Sequence, residues 1–153
     1  MRLTDYTDYA LRVLMYLGAH RERLVTIQEV ASAHGISKNH LTKVVHRLGV
    51  AQLVATVRGR AGGIRLAMEP ERIMVGTVVR LTEPDFMLVE CFDEARNCCS
   101  LSPVCVLKHT LGRATRAFLA ELDKVSLDSV LAPMSPAAGG PMAQSVLSRL
   151  SPD

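Results

Sequence analysis

The sequence predicts a mainly α fold: a winged helix-turn-helix domain with a two-stranded wing, a cysteine-rich loop and a long helix suited to pairing with a second copy. Three observations carry this expectation. The 153 residues are 48% hydrophobic yet include only 3 Phe, 3 Tyr and no Trp, so the core must be aliphatic, which suits helix-on-helix packing better than an aromatic-rich sandwich. Two short amphipathic segments meet at Gly35-Ile36-Ser37 and precede a glycine-rich basic hairpin. All four cysteines lie between residues 91 and 105, ahead of a long stripe of apolar residues at helical spacing.

Residues 5 to about 20 form the first expected helix, with Tyr6, Ala10, Val13, Leu14 and Leu17 on one face and Asp5, Asp8 and Arg12 off it. Thr26-Ile27-Gln28-Glu29 places a capping hydroxyl three residues before a glutamate, which satisfies two orphan amides reciprocally and starts a second helix. That helix turns Ile27, Val30 and Ala31 inward and stops at Gly35, because glycine takes the left-handed cap without strain. Ser37 caps a third helix over residues 38–48, with Leu41, Val44, Val45 and Leu48 at i, i+3, i+4 and i+7, and Gly49 ends it. Two short helices joined by three residues have the spacing of a helix-turn-helix. Residues 53–57 and 64–67 read as strands flanking Arg58-Gly59-Arg60-Ala61-Gly62-Gly63, a hairpin with a basic, glycine-rich tip. A helix over 74–82, closed by Pro84, completes a winged domain over residues 1–84.

From Asp85 to Ser102 no periodicity holds and the cysteines accumulate, so residues 85–102 are expected to be a loop organised by something other than a core. Ser102-Pro103 reads as a helix start, a capping hydroxyl followed by proline at the first helical position. The helix should run to about Lys124, with Val104, Leu107, Leu111, Ala114, Phe118 and Leu122 spaced like a coiled-coil seam. At about 33 Å it exceeds what a domain of about 80 residues needs for its own core, so a homodimer is expected, packing on its own domain being the alternative. Residues 103–132 hold this helix and a short one after it, and residues 133–153, rich in Pro, Gly, Ser and Ala, are expected to be a disordered tail.

Charge divides the chain. Residues 1–80 carry 12 Lys+Arg against 6 Asp+Glu, and residues 81–153 carry 6 against 9. A basic half of a small protein is most simply explained by a polyanion. With the apolar stripe buried, Lys38, Asn39, His40, Thr42, Lys43 and His46 stay outside on the second helix of the motif and, with Ser37 at its start, form a surface suited to reading double-stranded DNA. Arg58 and Arg60 project from a narrow turn of the kind that enters a minor groove. The other interpretation is a solvated basic face.

The cysteines are spaced Cys91-x6-Cys98-Cys99-x5-Cys105, with no C-x2-C pair from which a structural zinc site usually starts. Their clustering in a chain with no signal segment or membrane span points to a soft metal or redox thiols rather than a disulfide framework, and to the cytoplasm. Thiolates from an irregular loop suit an iron-sulfur cluster, and Asp93, Glu94, His109 or a residue of a second copy could supply a further ligand. Asp8 by itself reads as a carboxylate stabilising a helix N-terminus.

The opening Met1-Arg2-Leu3-Thr4, the segment Thr7-Asp8-Tyr9-Ala10-Leu11-Arg12, the wing Val57-Arg58-Gly59-Arg60-Ala61-Gly62-Gly63-Ile64-Arg65-Leu66 and the cysteine loop before a long helix resemble the iron-sulfur repressors of the NsrR, RirA and IscR group over residues 1 to about 132. The resemblance implies cluster ligands Cys91, Cys99 and Cys105, with Cys98 spare, and a 4Fe-4S cluster, 2Fe-2S being the alternative. Asp8 matches the position from which NsrR-like members complete the cluster across the dimer. Lys108 stands where IscR-like members carry a histidine ligand, and an ammonium has no lone pair to offer. The function implied is a homodimeric repressor on an inverted-repeat operator, released by nitric oxide. The alternatives are an iron-status regulator of the RirA or IscR type and a thiol- or zinc-based repressor. No nucleophile elbow, phosphate loop or dinucleotide fingerprint is present, so an enzyme is not expected.

Overall fold

The computed structural model describes residues 2–134. In chain order the elements are α1 (Asp5–Ala19), α2 (Ile27–His34), α3 (Lys38–Val50), β1 (Val54–Val57), β2 (Gly63–Leu66), α4 (Val75–Thr82), α5 (Val106–Leu122) and α6 (Leu127–Leu131). The expected winged helix-turn-helix is present, and α1 lies behind α3 and against α4 and α6. No helix among the described residues is long and apolar enough to cross a membrane.

The sequence accounts for most boundaries. Thr26 Oγ1 accepts the Glu29 amide at 3.1 Å, and the Glu29 carboxylate returns to the Thr26 backbone, so the capping box forms as expected. Gly35 takes φ 64° and ψ 31°, and the Ile36 amide donates to Ala31 O at 3.0 Å. Leu41, Val44, Val45 and Leu48 are all buried beneath α3. Two boundaries differ. The Ser37 side chain makes no capping hydrogen bond, and α3 runs through Gly49 to Val50. The left-handed position falls on Gln52 (φ 59°), where the Leu53 amide reaches Leu48 O at 2.9 Å and the Gln52 amide reaches Gly49 O at 3.0 Å. The Gln52 side-chain amide adds a second donor to Gly49 O at 3.3 Å.

The hairpin pairs Val54 with Leu66 and Val57 with Gly63, and Ile64 also exchanges two backbone hydrogen bonds with Val25. The wing is thereby stitched to the link between α1 and α2. At Gly63 a Cβ would stand 2.7 Å from the Val25 carbonyl oxygen, so this pairing requires glycine.

The end of the chain returns to the winged domain. Val75 N–H donates to Val125 O at 2.9 Å, Leu127 N–H to Ile73 O at 2.8 Å, and Arg80 pairs with Asp123 at 2.5 and 2.8 Å. Leu127 is buried in the common core with Leu14, Leu17 and Ile73. The short helix expected beside the long one therefore packs on α1.

The long helix is shorter than expected. Ser102–Val104 form a 3-10 turn, Cys105 is extended (φ −77°, ψ 107°), and α5 begins at Val106 and ends at Leu122. Pro103 starts a turn as its fixed φ allows, but the cap falls three residues after Ser102, where Cys105 Sγ accepts the Lys108 amide at 3.4 Å. The tail expectation falls, from residue 135, outside the described residues.

Tyr16 and Glu29 hold α1 to α2. The Tyr16 hydroxyl donates to Glu29 Oε1 at 2.8 Å, and Arg23 pairs with the same carboxylate at 2.5 Å. Chiefly through the Arg23 hydrogen bond, the Glu29 carboxyl is held at about 2. Because its folded value lies below the unfolded value of about 4.3, its contribution is complete above that value and is lost as pH falls toward 2. Glu29→Gln is expected to lower stability by roughly 1–2 kcal/mol at pH 7, with the gap to wild type in urea midpoint closing as unfolding is repeated between pH 5 and pH 2.

Candidate nucleic-acid interface and cysteine loop

The expected reading surface is assembled as one face. Ser37, Lys38, Asn39, His40, Thr42 and Lys43 are all exposed, at the start and along the outer side of α3. Thr42 Oγ1 donates to Lys38 O at 2.9 Å, which commits its proton and leaves its lone pairs as acceptors. Arg58 and Arg60 are exposed on the wing tip, where Gly59 has φ 115° and the Gly62 amide closes the turn on Gly59 O at 3.0 Å. None of Lys38, Lys43, Arg58 and Arg60 makes an ion pair among the described residues, so no carboxylate there neutralises their charge.

Sequence reasoning missed what stands behind this face. The Tyr6 hydroxyl donates to Lys43 O at 3.1 Å, and the Tyr9 ring lies nearly parallel to His40, with centroids 6.4 Å apart. Arg47 Nη2 reaches Leu81 O at 3.5 Å. These contacts fix the tilt of α3 from α1 and α4. A half-buried phenol that needs a hydrogen-bond partner is the one signal that pointed this way. Burial raises the Tyr6 hydroxyl above its ordinary value, with Arg47 opposing.

Asp8 lies on α1, its carboxylate 2.8 Å from Arg12 in an exposed pair. His34, at the end of α2, is held below its ordinary value by burial first and by Arg12 second, with Asp8 opposing, and its buried Nε2 has no hydrogen-bond partner among the described residues.

The cysteine loop is ordered by short-range polar contacts. Asp85, Asp93 and Asn97 each accept the amide two residues on, at 2.9 to 3.1 Å, and Glu90 Oε1 accepts the Cys98 amide at 3.1 Å. Such turns need no apolar core. Cys91 is half-buried in a cavity of about 440 Å³, facing Lys108, His109 and Gly112 of the first turns of α5. Cys105 is half-buried as the cap of the same helix, and Lys108 Nζ ties Ser102 Oγ at 2.9 Å. Cys91 thus lies against the first turns of α5 and Cys105 at its cap, whereas Cys98 and Cys99 are exposed. Among the described residues no three His, Cys, Asp or Glu side chains converge as around one ion. The donor set nevertheless has the chemistry of a soft metal site, since free thiols are its principal groups. Leu107 is exposed, Ala114 is exposed, and Leu111, Phe118 and Leu122 are half-buried along α5, whose one buried residue is Thr115.

The sequence profile described as "Rrf2: Iron-dependent Transcriptional regulator" matches residues 3–133. The chain belongs to the Rrf2 family. Curated relatives of this Rrf2 chain include the HTH-type transcriptional regulator NsrR of Bacillus subtilis, 57% identical over 128 residues, covering 83% of this chain and 88% of that protein. The protein of the same name from Bacillus licheniformis is 51% identical over 132 residues, covering 86% and 92%. Among solved structures, T. potens IscR superposes with a TM-score of 0.72 at 25% identity, covering 90% of each chain. CymR of B. subtilis, titled the global cysteine regulator, superposes at 0.68 with 23% identity, covering 85% of this chain and 95% of that one. The protein is a transcriptional regulator and not an enzyme.

Exposure ranks the thiols. In cluster-free reduced protein, iodoacetamide is expected to label Cys98 and Cys99 before Cys91 and Cys105, as peptide mass spectrometry under native conditions would read directly.

Proposed function

We propose that this Rrf2 regulator is a homodimeric repressor that binds its operator with an iron-sulfur cluster held by Cys91, Cys99 and Cys105, and that nitric oxide releases it and derepresses nitric-oxide-response genes. Asp8 of the partner subunit is the proposed fourth ligand. The observation that carries this reading is the placement of Cys91 against the first turns of the helix that Cys105 caps. The 57% identity to a protein named NsrR supports it.

A bound cluster, of the 4Fe-4S type in this reading, supplies iron open to a small diatomic where its fourth ligand is a hard, weakly held carboxylate. The chain's own residues do the rest. The Lys108 amide orients Cys105 Sγ, and the Lys108 ammonium fastens the turn before it through Ser102. Asp8 is available for exchange, because an exposed i,i+4 pair with Arg12 contributes only about 0.3–0.5 kcal/mol. Leu107, Leu111, Ala114, Phe118 and Leu122 form the proposed dimer seam. Val104, Val106 and Leu107 are 79%, 76% and 63% exposed, an apolar edge that a second copy would cover.

Two copies would present two α3 helices to an inverted repeat with half-sites about 34 Å apart. Lys38, Asn39, His40 and Thr42 face bases in this reading, Ser37 and Lys43 face phosphates, and Arg58 and Arg60 enter the flanking minor groove. The profile's description as iron-dependent favours one other reading, in which cluster occupancy reports iron supply.

The deciding experiment is an anaerobic absorption spectrum with iron and sulfide assays, then stepwise nitric oxide while operator binding is followed at fixed salt. A brown protein whose colour and affinity fall together is expected, and Cys99→Ala should abolish the colour. Affinity unchanged by nitric oxide would overturn the nitric-oxide reading in favour of iron sensing, and a colourless protein that still binds DNA would leave a thiol- or zinc-based repressor.

The DNA roles separate by salt and by sequence. Lys43→Ala should lower the slope of log affinity against log salt by about 1 on any duplex. Asn39→Ala should cost about 1–3 kcal/mol on the operator and little on unrelated DNA.

A further inference from the structure

We propose that Glu83 is the positioning residue through which the cysteine loop governs the tilt of the reading helix. This rests on the reading above that the loop carries the signal. Glu83 is the last residue before Pro84 and the loop, and it caps the end of α4. Its Oε1 accepts the Thr4 amide at 2.8 Å and the Thr4 hydroxyl at 3.0 Å, across 79 residues of sequence. Thr4 is in turn the N-cap of α1, its Oγ1 accepting the Thr7 amide at 3.3 Å. One carboxylate oxygen therefore ties the start of α1 to the residue at which α4 ends and the loop begins. Glu83 makes no ion pair among the described residues, so Thr4 is the partner that fixes its direction.

From Thr4 the path to DNA is short. Tyr6, two residues on, holds Lys43 O, and Tyr9, one turn further, lies along His40. A second support leaves α4 two residues before Glu83, where Arg47 of α3 reaches Leu81 O. Both supports of the reading helix therefore converge on the segment that Glu83 terminates. A cavity of about 370 Å³ lies at this junction, lined by Thr4, Glu83, Phe86, Met87, Thr115 and Phe118. Three parts that a signal must connect, the start of α1, the start of the loop and the middle of α5, share its walls. Space beside Glu83 lets the loop shift without first breaking the core. A displaced Glu83 leaves the Thr4 amide without its acceptor and the Thr4 hydroxyl with only Thr7 Oγ1, 3.2 Å away, and the first turn of α1 then loosens together with Tyr6.

The test uses the full chain in three variants, Glu83→Ala, Glu83→Gln and Tyr6→Phe, with amide hydrogen exchange on cluster-free protein and operator affinity at fixed salt on cluster-loaded and cluster-free protein. Glu83→Ala is expected to speed exchange at least about tenfold in residues 4–8 and also in residues 38–44, leaving α2 and α6 unchanged. Glu83→Gln keeps an acceptor oxygen and is expected to restore wild-type exchange in both stretches. Tyr6→Phe should loosen residues 38–44 while residues 4–8 stay protected. The ratio of loaded to free affinity should shrink at least about fivefold in Glu83→Ala. Faster exchange confined to residues 4–8, or a ratio equal to wild type, would overturn the proposal and leave Glu83 as an anchor of the N-terminus. If wild-type protein shows no difference between loaded and free forms, the sensor reading fails, and exchange in residues 38–44 still decides the link from Glu83.

Discussion

The burial of α1 is the constraint on which the rest of the structure depends. Ala10, Val13 and Leu14 are wholly inaccessible and Leu17 nearly so, enclosed by α3, α4, α6 and the hairpin. Burying a Val or Leu side chain contributes about 1.5–3 kcal/mol, so these few positions account for a large share of the stability of a small domain. The same helix carries the residues a regulator needs at its two edges. Tyr6 and Tyr9 face α3, Asp8 faces outward beside Arg12, and Thr4 at the start meets Glu83 at the end of α4. A rigid element so placed would transmit a change at its first turn to α3, because close-packed interiors move as units rather than deforming smoothly.

The return of the chain after α5 gives that helix two unlike ends. Its C-terminal end is fixed by Arg80 on Asp123, by the backbone pairing of residues 73–75 with 125–127 and by Leu127 in the core. Gly76 permits the approach: a Cβ there would stand 2.9 Å from the Asp123 amide nitrogen. The N-terminal end carries Cys105 and exposed apolar residues. A helix anchored at one end and capped by a thiol at the other would, in the proposed reading, couple a ligand of the cysteines to the surface that a second copy would cover.

What was legible in the sequence was local. The α3 stripe, the Thr26–Glu29 box, the Gly35 cap and the basic wing tip each depend on residues within one or two turns, and each formed. Two errors were also local and came from competing choices. Gly49 stayed helical because the left-handed position shifted to Gln52, and Pro103 began a 3-10 turn because Cys105 supplied the cap. Long-range pairings had no local signature. Nothing near Val25 announces a strand, since its partner is Ile64, and nothing near Glu83 announces a cap, since its partner is Thr4. Of the candidate site, the exposed basic groups followed from amphipathicity, whereas their supports required the fold.

The cysteine loop shows how a segment can be ordered without a core. Its order comes from Asp85, Glu90, Asp93 and Asn97 accepting nearby amides, each contact worth about 1 kcal/mol net at a partly solvated site. Such bonds exchange readily with water, so the loop has a shape but little resistance to another shape. A hydrophobic loop of the same length would hold its geometry too firmly to follow its thiols, and a glycine-rich one would have no geometry to return to. Ending this segment on Cys105, the cap of a helix, and beginning it beside Glu83, the acceptor for the start of another, places its two ends on the elements that reach the core and the DNA face. The polarity of the loop is therefore what would let a change at its thiols, in the proposed reading, reach both helices.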